Sequence, residues 1–404
     1  MKIIHLLNHS YRGKWPPPQA LHRVDTFSRR YALKMREYTD QYEIECWNPE
    51  RMIKESIVVR EDGITYRIFP ASLSSFPYKH FSLSMLNAVR EECAKGECLL
   101  FIHGIHGKWT NLIPLMVKNG PIVSQHHGEE IFYRIKKFIS KPRRIILAPL
   151  EQQAYKKVDH FFVLYPEVKE KLSKYVPKDR ISVQTIGVDF NLFRPCPKEE
   201  AKRSLKLKQE KRYLLYIGMF ENRKGTEFLL KSLPPIFSKY PDTELLLIGK
   251  CAKTEYQEML NALVRQLGIG DRIQFLGTIR NEDLSLFYSA ADLFLLPSVT
   301  GEGLPTVLIE AAACNLPFIA TSIRGIPHFV EVVGGGILVE PGLPEAITQA
   351  IDEFFLTPPI KIDLREKAKR YDWDTILKGT FEVIEKLEKQ YFGKGKTRVL
   401  PHCA

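Results

Sequence analysis

Apolar residues in this chain fall in short continuous runs, and stretches of helical period lie between them. The pattern is cleanest from Lys211 onward. Tyr213–Ile217 is a β-rich run ended by Gly218, and a helical pattern follows over Thr226–Tyr240. Glu244–Ile248, ended by Gly249, precedes a helix over Tyr256–Leu267. Arg272–Leu276 precedes a helix over Asn281–Ala290, which Asn281 is placed to cap. Asp292–Leu296, a helix over Pro305–Cys314, Phe318–Thr321 and Ile337–Val339 complete the series. Runs that are apolar throughout and alternate with helices predict a parallel sheet covered on both faces. That is a doubly wound α/β domain.

The first half repeats the pattern less regularly. Ile3–Leu7, Glu43–Trp47, Ile64–Phe69, Leu99–His103, Ile122–Gln125 and Phe161–Leu164 read as strands. Helices are expected near Ala20–Tyr38, Phe81–Lys95, Trp109–Lys118 and Glu167–Tyr175. The proline-punctuated stretch Arg194–Lys198 marks a seam. The expected division is 1–194, 195–374, a last helix over 375–392 and a tail of 393–404. A chain of 404 residues exceeds one ordinary core, which agrees with two domains. Two such domains on a short linker imply a central cleft faced by their strand ends, with a hinge for closure.

Composition narrows the class. At 44% hydrophobic and 26% charged residues the chain reads as an ordinary globular protein. No apolar run reaches the roughly 18–20 residues a membrane span requires. The opening run is too short for a secretory signal. Seven scattered cysteines form no C-x-x-C pair, and Cys93 and Cys98 are the closest. Reduced thiols and a cytoplasmic setting are expected. The formal charge of +12 is uneven. Residues 131–158 carry Arg134, Lys136, Lys137, Lys141, Arg143, Arg144, Lys156 and Lys157 against Glu151 alone, interleaved with aromatic and aliphatic side chains. Such a segment is either a solvated helix face or a docking face for an anionic membrane, giving a peripheral position on its inner face. No zinc-finger or RNP signature accompanies the charge, so nucleic acid is not an expected partner.

The chemistry concentrates in Gly301-Glu302-Gly303-Leu304-Pro305-Thr306-Val307-Leu308-Ile309-Glu310, between two strand runs. Glu302 lies in a Gly-flanked loop. Glu310 lies on the helix that Pro305 is placed to open as its first residue. Loops and helix starts at the ends of parallel strands are where such sheets bind ligands, and helix N-termini favour anions. Lys224, beside Arg223, follows the Tyr213–Ile217 strand just ahead of a helix, a suitable place for a phosphate clamp.

Gly277–Thr321 resembles the donor-site region of retaining GT-B glycosyltransferases, and more narrowly the large family four of sucrose synthases and mannosyltransferases. That family carries a Glu-x7-Glu motif, whose spacing Glu302 and Glu310 match. Gly187-Val188-Asp189, Gly218 with Lys224-Gly225, His127-Gly128, Gly325-Ile326-Pro327, Gly336–Val339 and Tyr371-Asp372-Trp373 agree in order. The resemblance covers residues 185–392 well and 1–184 in outline.

It implies two Rossmann-like domains, the first on the acceptor side and the second binding a nucleotide-diphosphate sugar. It implies a final helix that crosses back to the first domain. The activity implied is retaining transfer of a hexose-type sugar to a sugar or lipid-linked acceptor, in glycan, glycolipid or cell-surface polysaccharide synthesis, without metal or cofactor. The donor would carry UDP, GDP or ADP. Arg223 and Lys224 would hold the diphosphate, and Glu310 the ribose diol. Glu302 would bind the donor sugar with the backbone N–H groups of Gly303 and Leu304, and His127 would approach the reaction centre. A histidine metal site from His103, His106, His126 and His127 is the competing reading of those residues. Asp372-Trp373-Asp374 spells a metal-binding Asp-x-Asp, but it precedes a helix that Asp374 is placed to cap. Two departures stand out. Met219 occupies a position where many relatives carry arginine, and Tyr11–Pro18 holds one glycine where they often carry two. A nucleotide-sugar-binding subunit without turnover and a same-fold epimerase are the alternatives.

Overall fold

A computed structural model describes residues 1–7, 26–51, 53–72, 81–105, 109–117, 119–128, 141–251, 253–357 and 362–393. The Tyr11–Pro18 loop, His106 and residues 131–140 of the basic segment 131–158 lie outside the described residues. Side chains of that segment are described from Pro149 onward. No helix among the described residues is long and apolar enough to cross a membrane. The chain divides into two units. One comprises residues 1–186 and 376–404, the other 187–375. The division therefore falls ahead of Arg194–Lys198.

The strands of the first unit are β1 (Lys2–Leu6), β2 (Glu43–Glu50), β3 (Ile57–Glu61), β4 (Ile64–Pro70), β5 (Cys98–His103), β6 (Ile122–Gln125), β7 (His160–Val163) and β8 (Ile181–Val183). They form one sheet in the order β3-β4-β2-β1-β5-β6-β7-β8. All pairs are parallel except β3 with β4. The sequence reading missed β3 and β8. The β3–β4 hairpin turns at Asp62 and Gly63, both with positive φ (53° and 71°). Two left-handed residues in a two-residue turn match the twist of antiparallel strands, and Asp-Gly is a preferred pair there.

The second unit contains β9 (Arg212–Ile217), β10 (Thr243–Ile248), β11 (Ile273–Gly277), β12 (Leu293–Leu296), β13 (Phe318–Thr321) and β14 (Gly336–Val339). Their order is β11-β10-β9-β12-β13-β14, parallel throughout. Adjacent residues of β9 enter different cores. Tyr213, Leu215 and Ile217 pack with Leu308, Ile309 and Phe329. Leu214 and Tyr216 pack with Leu229, Leu233 and Ile347. A strand buried on both faces explains why it reads as an unbroken apolar run. Each fully buried leucine contributes about 1.5–3 kcal/mol.

Each sheet has a switch point, where the chain leaves a central strand first to one side and later to the other. It lies between β1 and β5 in the first unit, and between β9 and β12 in the second. Ligand sites of doubly wound sheets form beyond the strand carboxyl ends at that place.

Three helix starts differ from expectation. Asn281 does not cap. The chain enters the helix Leu284–Ala290 through a 3-10 turn, Asn281–Asp283, whose own carbonyls take the first N–H groups. Pro305 is the cap residue and not the first helical one, since the helix runs Thr306–Ala313. Its extended ψ of 128° precedes the helix, while its carbonyl accepts from Leu308 N at 3.1 Å. The last helix spans Trp373–Phe392, so Asp374 sits in its first turn. Pairing to the seam fixes that start. Val188 N donates to Tyr371 O (2.9 Å) and Trp373 N to Val188 O (3.2 Å). Asp372 Oδ1 accepts from Phe190 N at 3.3 Å. Gly187 is required beside them, because a Cβ there would lie 2.6 Å from the Trp373 ring. Asp189 Oδ1 accepts from Asn191 N and Leu192 N, both at 3.0 Å, and so shapes the seam.

Candidate functional site

The site of the second unit forms where the loops after β9 and β12 meet. After Gly218 the chain makes a 3-10 turn, Asn222–Lys224, then passes Gly225 at φ 70° into the helix Thr226–Lys239. A Cβ at Gly225 would stand 1.9 Å from the Pro297 carbonyl oxygen, so only glycine permits the approach. The Arg223 carbonyl accepts from Val299 N (2.8 Å) and Thr300 N (3.3 Å), joining the two loops. Thr321 Oγ1 donates to Ser298 O (2.6 Å), and Gly325 N to Gly303 O (3.1 Å). The Glu302 loop is therefore tied on three sides. Leu304 anchors its exit in the core.

Glu302 is buried, 6% exposed. Its Oε1 forms an ion pair with Lys224 Nζ. Arg223 NH1 donates to the same oxygen at 3.4 Å and Ser298 Oγ at 3.2 Å. Arg223 NH2 pairs with Glu221 Oε1 at 2.6 Å. Two cations thus face two carboxylates. Breaking such a pair by removing one buried partner is far costlier than the pair is stabilising. Met219 is exposed and brings no charge. Its carbonyl accepts from the buried Tyr216 hydroxyl at 3.1 Å.

Glu310 is likewise buried, at 7% exposure. Tyr288, on the helix Leu284–Ala290, donates its hydroxyl to Glu310 Oε2 at 2.8 Å. Burial, reinforced by the Glu310 charge, holds the Tyr288 phenol well above its ordinary pKa, so it remains a donor. Arg365 closes the far end of the Glu310 helix, donating to Ala313 O (2.7 Å), Phe193 O (2.6 Å) and Phe190 O (2.7 Å). Glu221, Tyr288, Ser298 and Arg365 escaped sequence reasoning. Tyr288 lies 22 residues from Glu310, and no local spacing announces the contact.

In the first unit, the histidines of the strand ends part company. His126 is buried, its backbone N–H donating to Phe162 O at 2.8 Å and its ring edge-on to Tyr165. His127 Nε2 lies 2.9 Å from His103 Nδ1, and His103 Nε2 lies 2.8 Å from His5 Nδ1. Sequence reasoning did not single out His5. Among the described residues no group of three or more histidine, cysteine, aspartate or glutamate side chains could hold a metal ion. Asp372 and Trp373 belong to the seam contacts above. The described cysteines carry free thiols, and the Cys93 and Cys98 sulfurs lie 3.4 Å apart.

Residues 197–371 match the family described as glycosyl transferases group 1. The chain is similar to an uncharacterized glycosyltransferase of Methanocaldococcus jannaschii, 28% identical over 222 residues, covering 52% of this chain and 55% of that protein. It is similar to a D-inositol 3-phosphate glycosyltransferase of Thermobispora bispora, 28% identical over 235 residues and 55% of each. The chain spans about half the length of the curated relatives it matches. Among solved structures, sucrose-phosphate synthase from Thermosynechococcus elongatus superposes with TM-score 0.73 at 21% identity, over 96% of this chain and 100% of that one. The Anabaena protein HepE in complex with UDP gives 0.71 at 17% identity, over 96% and 100%. The fold is the two-domain Rossmann-like GT-B fold of these glycosyltransferases.

Proposed function

We propose that this chain is a group 1 glycosyltransferase that moves a sugar from a nucleoside-diphosphate sugar to an acceptor hydroxyl with retention at the anomeric carbon. The observation that carries the reading is the cluster at the second switch point. There Arg223 and Lys224 converge on Glu302 from one loop, and Glu310 stands oriented by Tyr288. A departing diphosphate gains negative charge as its bond to the sugar breaks, and preorganised cations are worth most there. Lys224 and Arg223 take that role without a metal. Glu310 accepts from the ribose diol, and Glu302 with the N–H groups of Gly303 and Leu304 binds sugar hydroxyls. The first unit carries the acceptor, and His127 is its candidate ligand-binding residue. HepE, solved with UDP-glucose, supports a nucleotide-sugar donor.

In this reading no carboxylate attacks the sugar. The acceptor oxygen bonds to the anomeric carbon on the face the phosphate leaves, and its proton passes to the departing phosphate oxygen. Calorimetry and nucleotide-release assays over UDP-, GDP- and ADP-sugars test the proposal. One donor should bind and release nucleotide on transfer. Lys224→Ala should lower transfer roughly 100-fold or more. Binding without release under any acceptor would make the chain a nucleotide-sugar-binding subunit, and isomerised donor would make it an epimerase. Full transfer by the Lys224→Ala/Glu310→Ala protein would overturn the assignment of the site.

A further inference from the structure

The basic segment 131–158 takes no part in the proposed chemistry. Its described part holds the helix Lys141–Lys157. Two more helices, Leu83–Ala94 and Ile113–Met116, cover the same face of the first unit's sheet. Val89, Ile113 and Tyr155, one from each helix, enter a single core with Leu6 and Ile102. The outer sides of these helices carry leucine. Leu83, Leu115 and Leu150 are 51, 37 and 40% exposed, and they are the exposed leucines of the first unit among the described residues.

The helix Lys141–Lys157 contains the cations Lys141, Arg143, Arg144, Lys156 and Lys157 and one acid, Glu151. Its rotation decides which of them the surface shows. Glu151 is only 5% exposed, and Ala154 and Tyr155 are buried on the same inner side. Pro149, Leu150, Gln153, Lys156 and Lys157 are exposed. The acid is therefore turned inward, and the described outer side is apolar and cationic with no carboxylate. An ordinary solvated helix mixes both signs on its outer face, where pairs four residues apart support it. Arg90 extends the cationic side, its Nε donating to Met116 O at 3.3 Å, next to Leu115. Of the two acids on the Arg90 helix, Glu92 is paired with Lys2 (3.3 Å) and Lys95 (2.7 Å), which leaves Glu91 as the exposed one.

We propose that the outer side of these three helices docks on an anionic membrane surface. The leucines enter the boundary between headgroups and acyl chains, and Arg90, Lys156 and Lys157 meet lipid phosphates. Apolar insertion and charge attraction are the two signals that peripheral binding combines. The helix Lys141–Lys157 ends beside the amino ends of the strands, where Asp159 N donates to Ile122 O at 2.8 Å. Running back against the strands, its 17 residues at about 1.5 Å each outreach the four-residue β6 and β7. Its first turns therefore lie on the carboxyl-end side, where the first switch point is. A docked membrane presents a lipid-linked acceptor to that side. This last step rests on the proposed function, and the docking itself does not.

Sedimentation with vesicles tests the docking. The full chain should bind phosphatidylcholine vesicles that contain phosphatidylglycerol, bind pure phosphatidylcholine only weakly, and be released as salt rises. Lys156→Gln/Lys157→Gln should weaken binding roughly 30-fold, at about fivefold per charge. Leu115→Gln/Leu150→Gln should weaken it about tenfold and leave the salt dependence unchanged. Both variants should keep the wild-type Tm and the wild-type donor affinity by calorimetry. Equal binding to neutral and anionic vesicles, or no binding to either, overturns the inference, and so does wild-type binding by the four variants combined. Binding of nucleic acid through the same lysines without binding of vesicles also overturns it. Failure to bind any nucleotide sugar would instead fall on the proposed function and leave the vesicle result to decide this one.

Discussion

The two units place different electrostatics at the same topological address. At the switch point between β9 and β12, the second unit pairs opposite charges: Glu302 with Lys224 and Arg223, and Arg223 with Glu221. At the switch point between β1 and β5, the first unit builds a line of imidazoles, with its innermost ring held neutral by burial. A doubly wound sheet supplies the location, and the side chains delivered there decide its chemistry. Paired charges can be re-partnered by an anionic ligand. The imidazole line has hydrogen bonds to offer and little charge to exchange.

Glu302→Gln should sharpen the contrast most. On the proposed reading, Glu302 competes with the donor diphosphate for Lys224 and Arg223. The variant should therefore bind nucleoside diphosphate as tightly as wild type or tighter by calorimetry. Transfer should still fall roughly 100-fold, as for loss of one transition-state contact. Parallel losses in binding and turnover would show that the pair only supports the fold.

The first unit should answer to acid. Burial lowers His5 to about 3. Burial, aided by Lys386 and Lys169, lowers His160 to about 4. The unfolded chain therefore binds more protons than the folded one below the ordinary histidine value of 6.5. This stability is full above that pH and is lost as pH falls towards 4 and then 3. Each group contributes a slope of up to about 1.4 kcal/mol per pH unit. His5→Phe should flatten the acid limb of a Tm-against-pH curve, and an unchanged limb would show that His5 is not depressed.

Tyr288→Phe is the smallest change. It leaves Glu310 one donor short, and nucleotide affinity should drop about fivefold, near 1 kcal/mol. No change in affinity would show that Glu310 is held by its helix alone.

Legibility follows the same division. The strand and helix series of the second unit could be read directly, because strands buried on both faces leave long apolar runs. The Glu302–Glu310 spacing and the placing of Lys224 after β9 were also local. The first unit gave less. Asp62-Gly63 carried the signal for the β3–β4 hairpin, yet its flanking strand, Ile57–Glu61, alternates between half-buried and exposed and offers little apolar contrast. Asn281 and Asp374 have the chemistry of capping residues. The 3-10 turn and the seam pairing pre-empted both.

The sequence by itself determined the alternating α/β pattern, the two-domain plan and the spacing of the Glu-x7-Glu motif. These depend on periodicity and on turns a few residues long. Only the tertiary structure decided which carboxylate meets which cation, that Tyr288 orients Glu310, and that His5 lies beside His103 from 98 positions away. Such contacts arise from strand order, and strand order is set when whole faces pack together and not by any neighbouring residue.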